Sequence, residues 1–444
     1  GIDVMPRRTL IRAPYILTLE EEGVLYQHAL LIEGEKITAI IPQEKSAALP
    51  ADEILDLENS MIMPGLINLH THAAMSLFRG YADDLSLMTW LQEHIWPLER
   101  QWLNKQFVYE GTLLSMAEMI KSGTTTLNDM YFYHSSVAQA GLKSGLRTFV
   151  GASILEFPTN YGENAEDYIA KAIIEKETFQ GEPLITFTLA PHAPYSVSDE
   201  TFKKIVALSD KENLLLHCHI HETADEIKNS MQQYGMRPIE RLKQLGVINS
   251  RLIAAHMVYG THEDIAAIHS SGMAIAHNPS SNLKLASGIA PIPMYLQNEI
   301  SVGLGSDGAA SNNRQDIWQE MHLAALLAKG QSLDPTALNA LEALKMATLY
   351  GARALHIDDI VGSLKVGKQA DIIALSIDAI ENQPIFDVVS HAVYVLGREN
   401  VTHVWVAGRP LLKNKQLLSL DTDNLREIAD NWQNRINQSG VKKG

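Results

Sequence analysis

From about residue 64 to 364, short apolar runs rich in β-branched residues alternate with longer segments whose apolar positions recur at helical spacing. The runs are Leu66–Leu69, Thr124–Leu127, Thr148–Val150, Ile185–Leu189, Leu214–Leu216, Leu252–Ala255, Met273–Ala276 and Ser301–Leu304. Between them lie segments such as YEGTLLSMAEMIKSG, in which Gly123 acts as a helix stop. Eight strands alternating with helices predict an α/β fold, a parallel (β/α)8 barrel of the TIM type. An open doubly wound sheet is the competing arrangement, and periodicity alone does not separate the two.

The chain ends carry a different pattern. Residues 9–62 alternate like antiparallel strands, with a hairpin signal at Glu33 and Gly34. ADIIALSI and VTHVWVAGRPLL, within residues 370–412, do the same. Neither end supplies enough strands alone, so both are expected to pair into one small β-sandwich domain. This divides the chain into a small domain, residues 1–63 and 365–444, and a barrel, residues 64–364. Leu425, Ile428, Ala429, Trp432 and Ile436 share one face of a helix predicted over Thr422–Gln438.

Composition narrows the class of function. Of 444 residues, 46% are hydrophobic and 20% charged, which suits a globular chain with a large core. The net charge of −16 argues against nucleic acid or an anionic membrane as partner. No apolar run is long enough for a transmembrane helix. GIDVMPRRTL lacks the apolar core of a signal peptide, and the residues ahead of Met5 read as an addition to the natural start. Cys218 is the only cysteine, which fits a reducing, cytoplasmic setting. A homo-oligomer is compatible with all of this.

The candidate chemistry gathers at the predicted strand ends. The first ends in His70 and His72, and the fourth leads to His192. The fifth leads to His217, His219, His221 and Glu222. The sixth, seventh and eighth lead to His256, His277 and Asp307. In a barrel these ends converge on one mouth. Residues i and i+2 of a strand face the same side, about 6.5–7 Å apart, so His70 and His72 can share one metal ion. A third histidine and a carboxylate would complete the site and leave a position for water. A single histidine at a strand end is more often hydrogen-bonded core than ligand. Here, however, imidazoles or carboxylates close six of the eight strands. Pattern alone does not choose among His217, His219 and His221. His262, His269 and His322 fall in helical contexts and are expected at the surface, while Cys218 is expected to face the helices.

Two motif look-alikes are read as turns. GLGSDG, Gly303 to Gly308, fits a dinucleotide glycine pattern, but Asp307 would repel a pyrophosphate. GSLKVGKQ, Gly362 to Gln369, has Gln369 where a phosphate loop needs Ser or Thr.

PGLINLHTH, HCHIHE, HNPSSNLKLASG, GLGSDGAASNN and GSLKVGKQADIIAL resemble, in order and spacing, the motifs of the amidohydrolase superfamily over nearly the whole chain. The likeness is to its mononuclear deaminase and chlorohydrolase branch, and within it to the 5′-methylthioadenosine/S-adenosylhomocysteine deaminases. That resemblance implies one divalent metal per subunit, zinc in first place, held by His70, His72, His219 and Asp307. It implies Glu222 as proton-shuttling acid, His256 beside the reacting water, and Asp307 as proton acceptor. Glu99 resembles a ribose-binding glutamate, and His192 a substrate-contacting histidine. The implied reaction is hydrolytic removal of ammonia from the adenine ring of a small nucleoside. ITFTLAPHA contains no lysine to bridge two metals, which favours one. Some members carry an arginine after the third strand as a substrate contact, and VGASILEFP has none. The rival readings are a guanine or cytosine deaminase, a triazine chlorohydrolase, and a non-enzymatic scaffold.

Overall fold

The computed structural model describes residues 5–438. The expected small domain therefore begins and ends outside the described residues, as do the residues ahead of Met5. Eight strands form one parallel sheet in chain order. They are β1 (Leu66–Thr71), β2 (Thr124–Tyr131), β3 (Arg147–Ile154), β4 (Ile185–Pro191), β5 (Leu216–Ile220), β6 (Leu252–His256), β7 (Ala274–His277) and β8 (Ser301–Leu304). Helices lie between successive strands. The one over Lys105–Lys121 starts at Asn104, whose side chain accepts the Phe107 N–H, and gives way to Gly123 at φ +83°.

Side-chain and backbone hydrogen bonds together close the seam between β8 and β1. Asn68 accepts the Ser306 N–H at 3.1 Å and donates to Ser306 Oγ at 2.7 Å. The Asp307 N–H donates to the His70 carbonyl at 2.9 Å. A Cβ on Gly305 would lie 2.8 Å from His70 Cβ, so the glycine permits this close approach. GLGSDG is thus a barrel-closing turn. In GSLKVGKQ, Lys368 Nζ donates to Ser363 Oγ at 2.7 Å and to the Asp358 carbonyl at 2.5 Å, tying the loop to itself.

Three strands run four residues past their expected ends, and the other ends shift by two residues or fewer. β2 runs on through Asn128 and Asp129, and β3 through Gly151 to Ile154. β5 contains His217, Cys218 and His219, where the expected strand stopped at Leu216. Polar residues marked strand ends in the sequence. Here they are interior strand positions, because one face of these strands lines the site.

The chain ends meet in a nine-stranded mixed sheet. Its two halves join where Ser60–Pro64 pairs antiparallel with Ile372–Ser376, Met63 lying opposite Ile373. The expected hairpin joins Val24–Glu33 to Lys36–Pro42 through Gly34 at φ +60°. Ile11, Ile16, Leu30, Ile32 and Ile37 pack together in its core. The last helix, Thr422–Gln438, buries Leu425, Trp432 and Ile436. It rests on the helix Lys105–Lys121, where Trp432 Nε1 donates to Glu110 Oε1 at 3.0 Å. No described helix is long and apolar enough to cross a membrane.

One buried ion pair ties the two sheets together. Arg147, at the start of β3, donates to Asp371 Oδ2 at 2.9 Å and Oδ1 at 3.0 Å, and to Gln369 Oε1 at 2.6 Å. Replacing Arg147 by Met leaves the Asp371 carboxylate buried without its cation. The expected loss is about 3–5 kcal/mol, read as a fall in denaturation midpoint. Unchanged stability would show that water replaces the guanidinium there.

Candidate active site

The C-terminal ends of the barrel strands open on one pocket. His72, Glu99, His192, His219, Glu222, His256 and Asp307 all line it. His70 lies beneath it, fully buried.

Backbone carbonyls fix how the histidines face. His72 Nδ1 donates to the Met130 carbonyl at 2.7 Å, and His219 Nδ1 to the His192 carbonyl at 2.6 Å. Each proton therefore sits on Nδ1, and each Nε2 presents a lone pair to the site. Those two Nε2 atoms lie 3.3 Å apart. Asp307 Oδ1 is 3.3 Å from His72 Nε2 and 3.4 Å from His70 Nε2. His70 Nε2 is buried and has no hydrogen-bond partner.

Converging lone pairs repel unless something positive lies among them. A tetrahedral ion at about 2.1 Å from each donor sets neighbouring donors about 3.4 Å apart. The distances here match that spacing. The ligand atoms of His70, His72 and His219 lie within 4.8 Å of one another, and so do those of His70, His256 and Asp307. Three neutral imidazoles and a carboxylate are a donor set for zinc or a similar divalent ion. Burial pushes the His70 imidazole down to about 4 and holds His219 well below its ordinary value. Both are in the unprotonated form a metal needs. For Asp307, burial works upward, but the adjacent His70 imidazole, then His256 and His72, outweigh it and hold the carboxyl well below the usual range.

Opposite these groups stand Glu222 and His256. His256 Nε2 is 3.4 Å from Glu222 Oε2 and 3.6 Å from Asp307 Oδ2. Burial, reinforced by the Asp307 charge, raises the Glu222 carboxyl, although His256 opposes it. Burial alone would lower His256, but the Glu222 and Asp307 carboxylates carry it above its ordinary value. Three non-glycine residues around the mouth hold left-handed backbones: His221 at φ +53°, His256 at φ +84° and Asp307 at φ +60°. Such conformations persist where surrounding contacts over-determine them. At His221 those contacts are plain: Glu226 accepts its N–H at 2.7 Å and that of Glu222 at 3.2 Å.

Glu99 enters from the helix Trp96–Trp102, half-buried, and accepts a very short hydrogen bond from the Tyr131 hydroxyl. Burial raises it to about 7, while the Tyr131 hydrogen bond works the other way. His192 holds Ser196 Oγ at 2.7 Å through Nδ1, and its backbone carbonyl orients His219.

The structure thus brings together all eight residues singled out from the sequence, and it separates the histidines that pattern left open. His217 lies behind His70, with Nε2 2.8 Å from His70 Nδ1. His221 donates to the Tyr259 carbonyl at 2.7 Å and accepts the Ile239 N–H at 3.1 Å, away from the pocket. His277 is buried outside the pocket lining. Cys218 faces the opposite side of β5 from His217 and His219, within the large apolar cluster. Of the histidines expected at the surface, His262 and His269 are exposed, whereas His322 is half-buried with Nδ1 3.1 Å from the Val393 carbonyl. Tyr131, Glu226 and Ser281 escaped the sequence reading. Tyr131 lies on the unforeseen extension of β2. Thr223 and Glu226 had the spacing of a helix-capping pair, which could have flagged the second.

The chain matches the model of the amidohydrolase family over residues 61–411. It is 43% identical over 433 residues to a 5-methylthioadenosine/S-adenosylhomocysteine deaminase of Saccharophagus degradans, covering 97% of each chain. It is 40% identical over 421 residues to a 5'-deoxyadenosine deaminase of Methanothermobacter thermautotrophicus, covering 95% of this chain and 97% of the relative. The crystal structure of an adenosine deaminase from Xanthomonas campestris with bound zinc superposes with a TM-score of 0.95 at 41% identity, covering 98% of this chain and 99% of that one. With its histidine-lined barrel mouth and a family match spanning most of its length, this chain belongs to the amidohydrolase family.

Proposed function

We propose that this chain is a zinc-dependent hydrolase that converts the adenine ring of a 5′-modified adenosine to the hypoxanthine analogue, with release of ammonia. The observation that carries the reading is the convergence of His70, His72, His219 and Asp307 at ligand spacing, with the raised carboxyl of Glu222 facing them across His256. The names of the 43% and 40% identical relatives supply the nucleoside.

His70, His72, His219 and Asp307 would hold the ion. When bound, it supplies a Lewis-acidic centre that brings the pKa of a water toward about 7. Asp307, ionised, accepts the proton that this water gives up. Glu222, whose carboxyl burial biases toward the acid form, gives its proton to the ring nitrogen beside C6, which makes that carbon electrophilic. His256 Nε2, between Glu222 and Asp307, accepts the remaining O–H of the oxygen as it adds to C6. The proton taken by Asp307 then passes to the exocyclic amine, which leaves as ammonia, while the C6 hydroxyl gives its proton back to Glu222 as the carbonyl forms. Glu99 accepts hydrogen bonds from the ribose hydroxyls, and His192 contacts the substrate from the strand-β4 side.

The far wall of the pocket contains Trp90, Leu91, Leu155 and Phe157, and no lysine or arginine appears among its described lining residues. A substrate carboxylate there would lose hydration without gaining a partner. The favoured 5′ group is therefore small and neutral, such as methylthio or hydrogen. A panel of methylthioadenosine, 5′-deoxyadenosine, adenosine, S-adenosylhomocysteine, guanine and cytosine, assayed for ammonia, tests both points. The first two should exceed S-adenosylhomocysteine by about tenfold or more in kcat/KM. Activity confined to the free bases would reject the nucleoside reading.

Glu99→Ala should cost nucleosides about 10–100-fold in kcat/KM, the worth of a hydrogen bond to a charged group, and leave free adenine nearly unchanged. Equal losses on nucleoside and base would remove Glu99 from ribose binding. Because ribose hydroxyls bind the ionised carboxylate and burial raises Glu99 to about 7, the nucleoside KM should fall as pH rises through that value.

A further inference from the structure

HNPSSN, His277 to Asn282, carries part of the family likeness, yet no role in the chemistry has fallen to it. In the fold it leaves β7 and enters the short helix Pro279–Lys284. Ser280 anchors that helix. Its N–H and Oγ donate to the fully buried Glu320 at 2.9 and 2.7 Å, and Asn312 Nδ2 donates to the same carboxylate at 3.0 Å.

The next two residues reach the site. Ser281 Oγ donates to Asp307 Oδ2 at 2.7 Å. Asp307 Oδ1, which also accepts the Gly308 N–H at 2.9 Å, is thereby the oxygen left facing His70 and His72. Asn282 is 2% exposed, and its Oδ1 lies 2.8 Å from His256 Nδ1. A side-chain carbonyl can only accept, so His256 carries its proton on Nδ1. Its Nε2, buried and without a hydrogen-bond partner, is then directed at the space between Glu222 and Asp307. The Asn282 amide nitrogen has no partner either, so the carbonyl is the working half of that side chain.

We propose that Ser281 and Asn282 are positioning residues with separate duties: Ser281 orients Asp307 toward the metal, and Asn282 fixes the tautomer and tilt of His256. The inference rests on the deaminase reading above. Outer hydrogen-bond partners of this kind orient ligands and acid–base groups, and losing one weakens metal affinity or turnover by about 10–100-fold.

The two duties have different readouts. Asn282→Leu, similar in volume but unable to accept, should keep full zinc content and a KM within about threefold. Its kcat should fall about 100-fold, the scale of one misplaced acid–base group. Asn282→Asp, which retains the accepting oxygen, should recover about tenfold or more of that loss. Ser281→Ala should raise the zinc dissociation constant, measured by competition with a chromogenic chelator, about 10–100-fold, while kcat at saturating zinc stays within about fivefold. If Asn282→Leu fails to fold, Asn282→Ala replaces it with the same thresholds. Wild-type kcat in the Leu or Ala variant overturns the Asn282 assignment. So does an Asp variant as slow as Leu, because the amide would then be donating. Unchanged zinc affinity in Ser281→Ala overturns the other half. Failure of the deaminase reading itself would look different: the unsubstituted protein would release no ammonia from any nucleoside.

Discussion

Glu222→Gln should retain its metal and lose about 10²–10⁴-fold of kcat, the range for removing a positioned general acid. Its neighbours place Glu222 where this matters. His219, three positions earlier on β5, sits at ligand spacing from His72, while Glu226 pins the intervening turn through the N–H groups of His221 and Glu222. His256 then lies 3.4 Å from the Glu222 carboxylate. Gln preserves the volume and one donor but cannot deliver a proton to the ring nitrogen. Burial is what raises the native carboxyl above the ordinary range, with His256 opposing it and the Asp307 charge adding to it. The acid form therefore persists to higher pH than in an exposed glutamate, so turnover is expected to decline only on the alkaline side of the ordinary carboxylate range. Metal content by elemental analysis, with kcat on methylthioadenosine, checks the claim. A fully active Gln variant would move the proton transfer to His256.

Much of this site could be read from the chain because its residues come in local pairs. His70 and His72, and likewise His219 and Glu222, are separated by fixed short intervals, and such intervals survive in one dimension. The parallel barrel was legible for a similar reason: each strand is short, apolar and followed by a helical period. What the sequence hid was long-range. The seam at Asn68 and Ser306 joins residues 238 positions apart, and no local pattern announces it. The choice among His217, His219 and His221 turned on whether an imidazole faces the pocket, the back of His70, or the Tyr259 carbonyl. Strand alternation groups His217 with His219 and cannot rank them. Strand ends were misjudged where the barrel interior is polar, since Asn128, Asp129, His217 and His219 break the apolar run without breaking the strand. Glu99 has no local signature at all. Only the family resemblance pointed to it, and in the fold it lines the pocket, where the Tyr131 hydroxyl meets it from β2.

Removing the metal should abolish turnover, and zinc should restore it, because no other group in the pocket replaces the cation among these lone pairs. Without it, the His72 and His219 Nε2 atoms face each other at 3.3 Å with both protons committed to backbone carbonyls. Neither can donate to the other unless a ring gives up its carbonyl bond. Asp307 Oδ1 would meanwhile stand 3.4 Å from His70 Nε2 and 3.3 Å from His72 Nε2 with no cation among them. The apo protein is thus a strained arrangement rather than a relaxed empty cup, and chelation should lower thermal stability as well as activity. A ligand that binds only the native state stabilises it by about 2.7 kcal/mol at a hundredfold excess over its dissociation constant, so the shift should be readily measured. His219→Ala separates the two effects. It removes one donor and the repulsion with His72 together. The variant should fail to regain turnover with zinc, yet lose less stability on chelation than the unsubstituted protein. Full zinc rescue of His219→Ala would show that the ion is held elsewhere, whereas an unchanged thermal midpoint on chelation of the unsubstituted protein would show that the four donors rearrange into hydrogen bonds of their own.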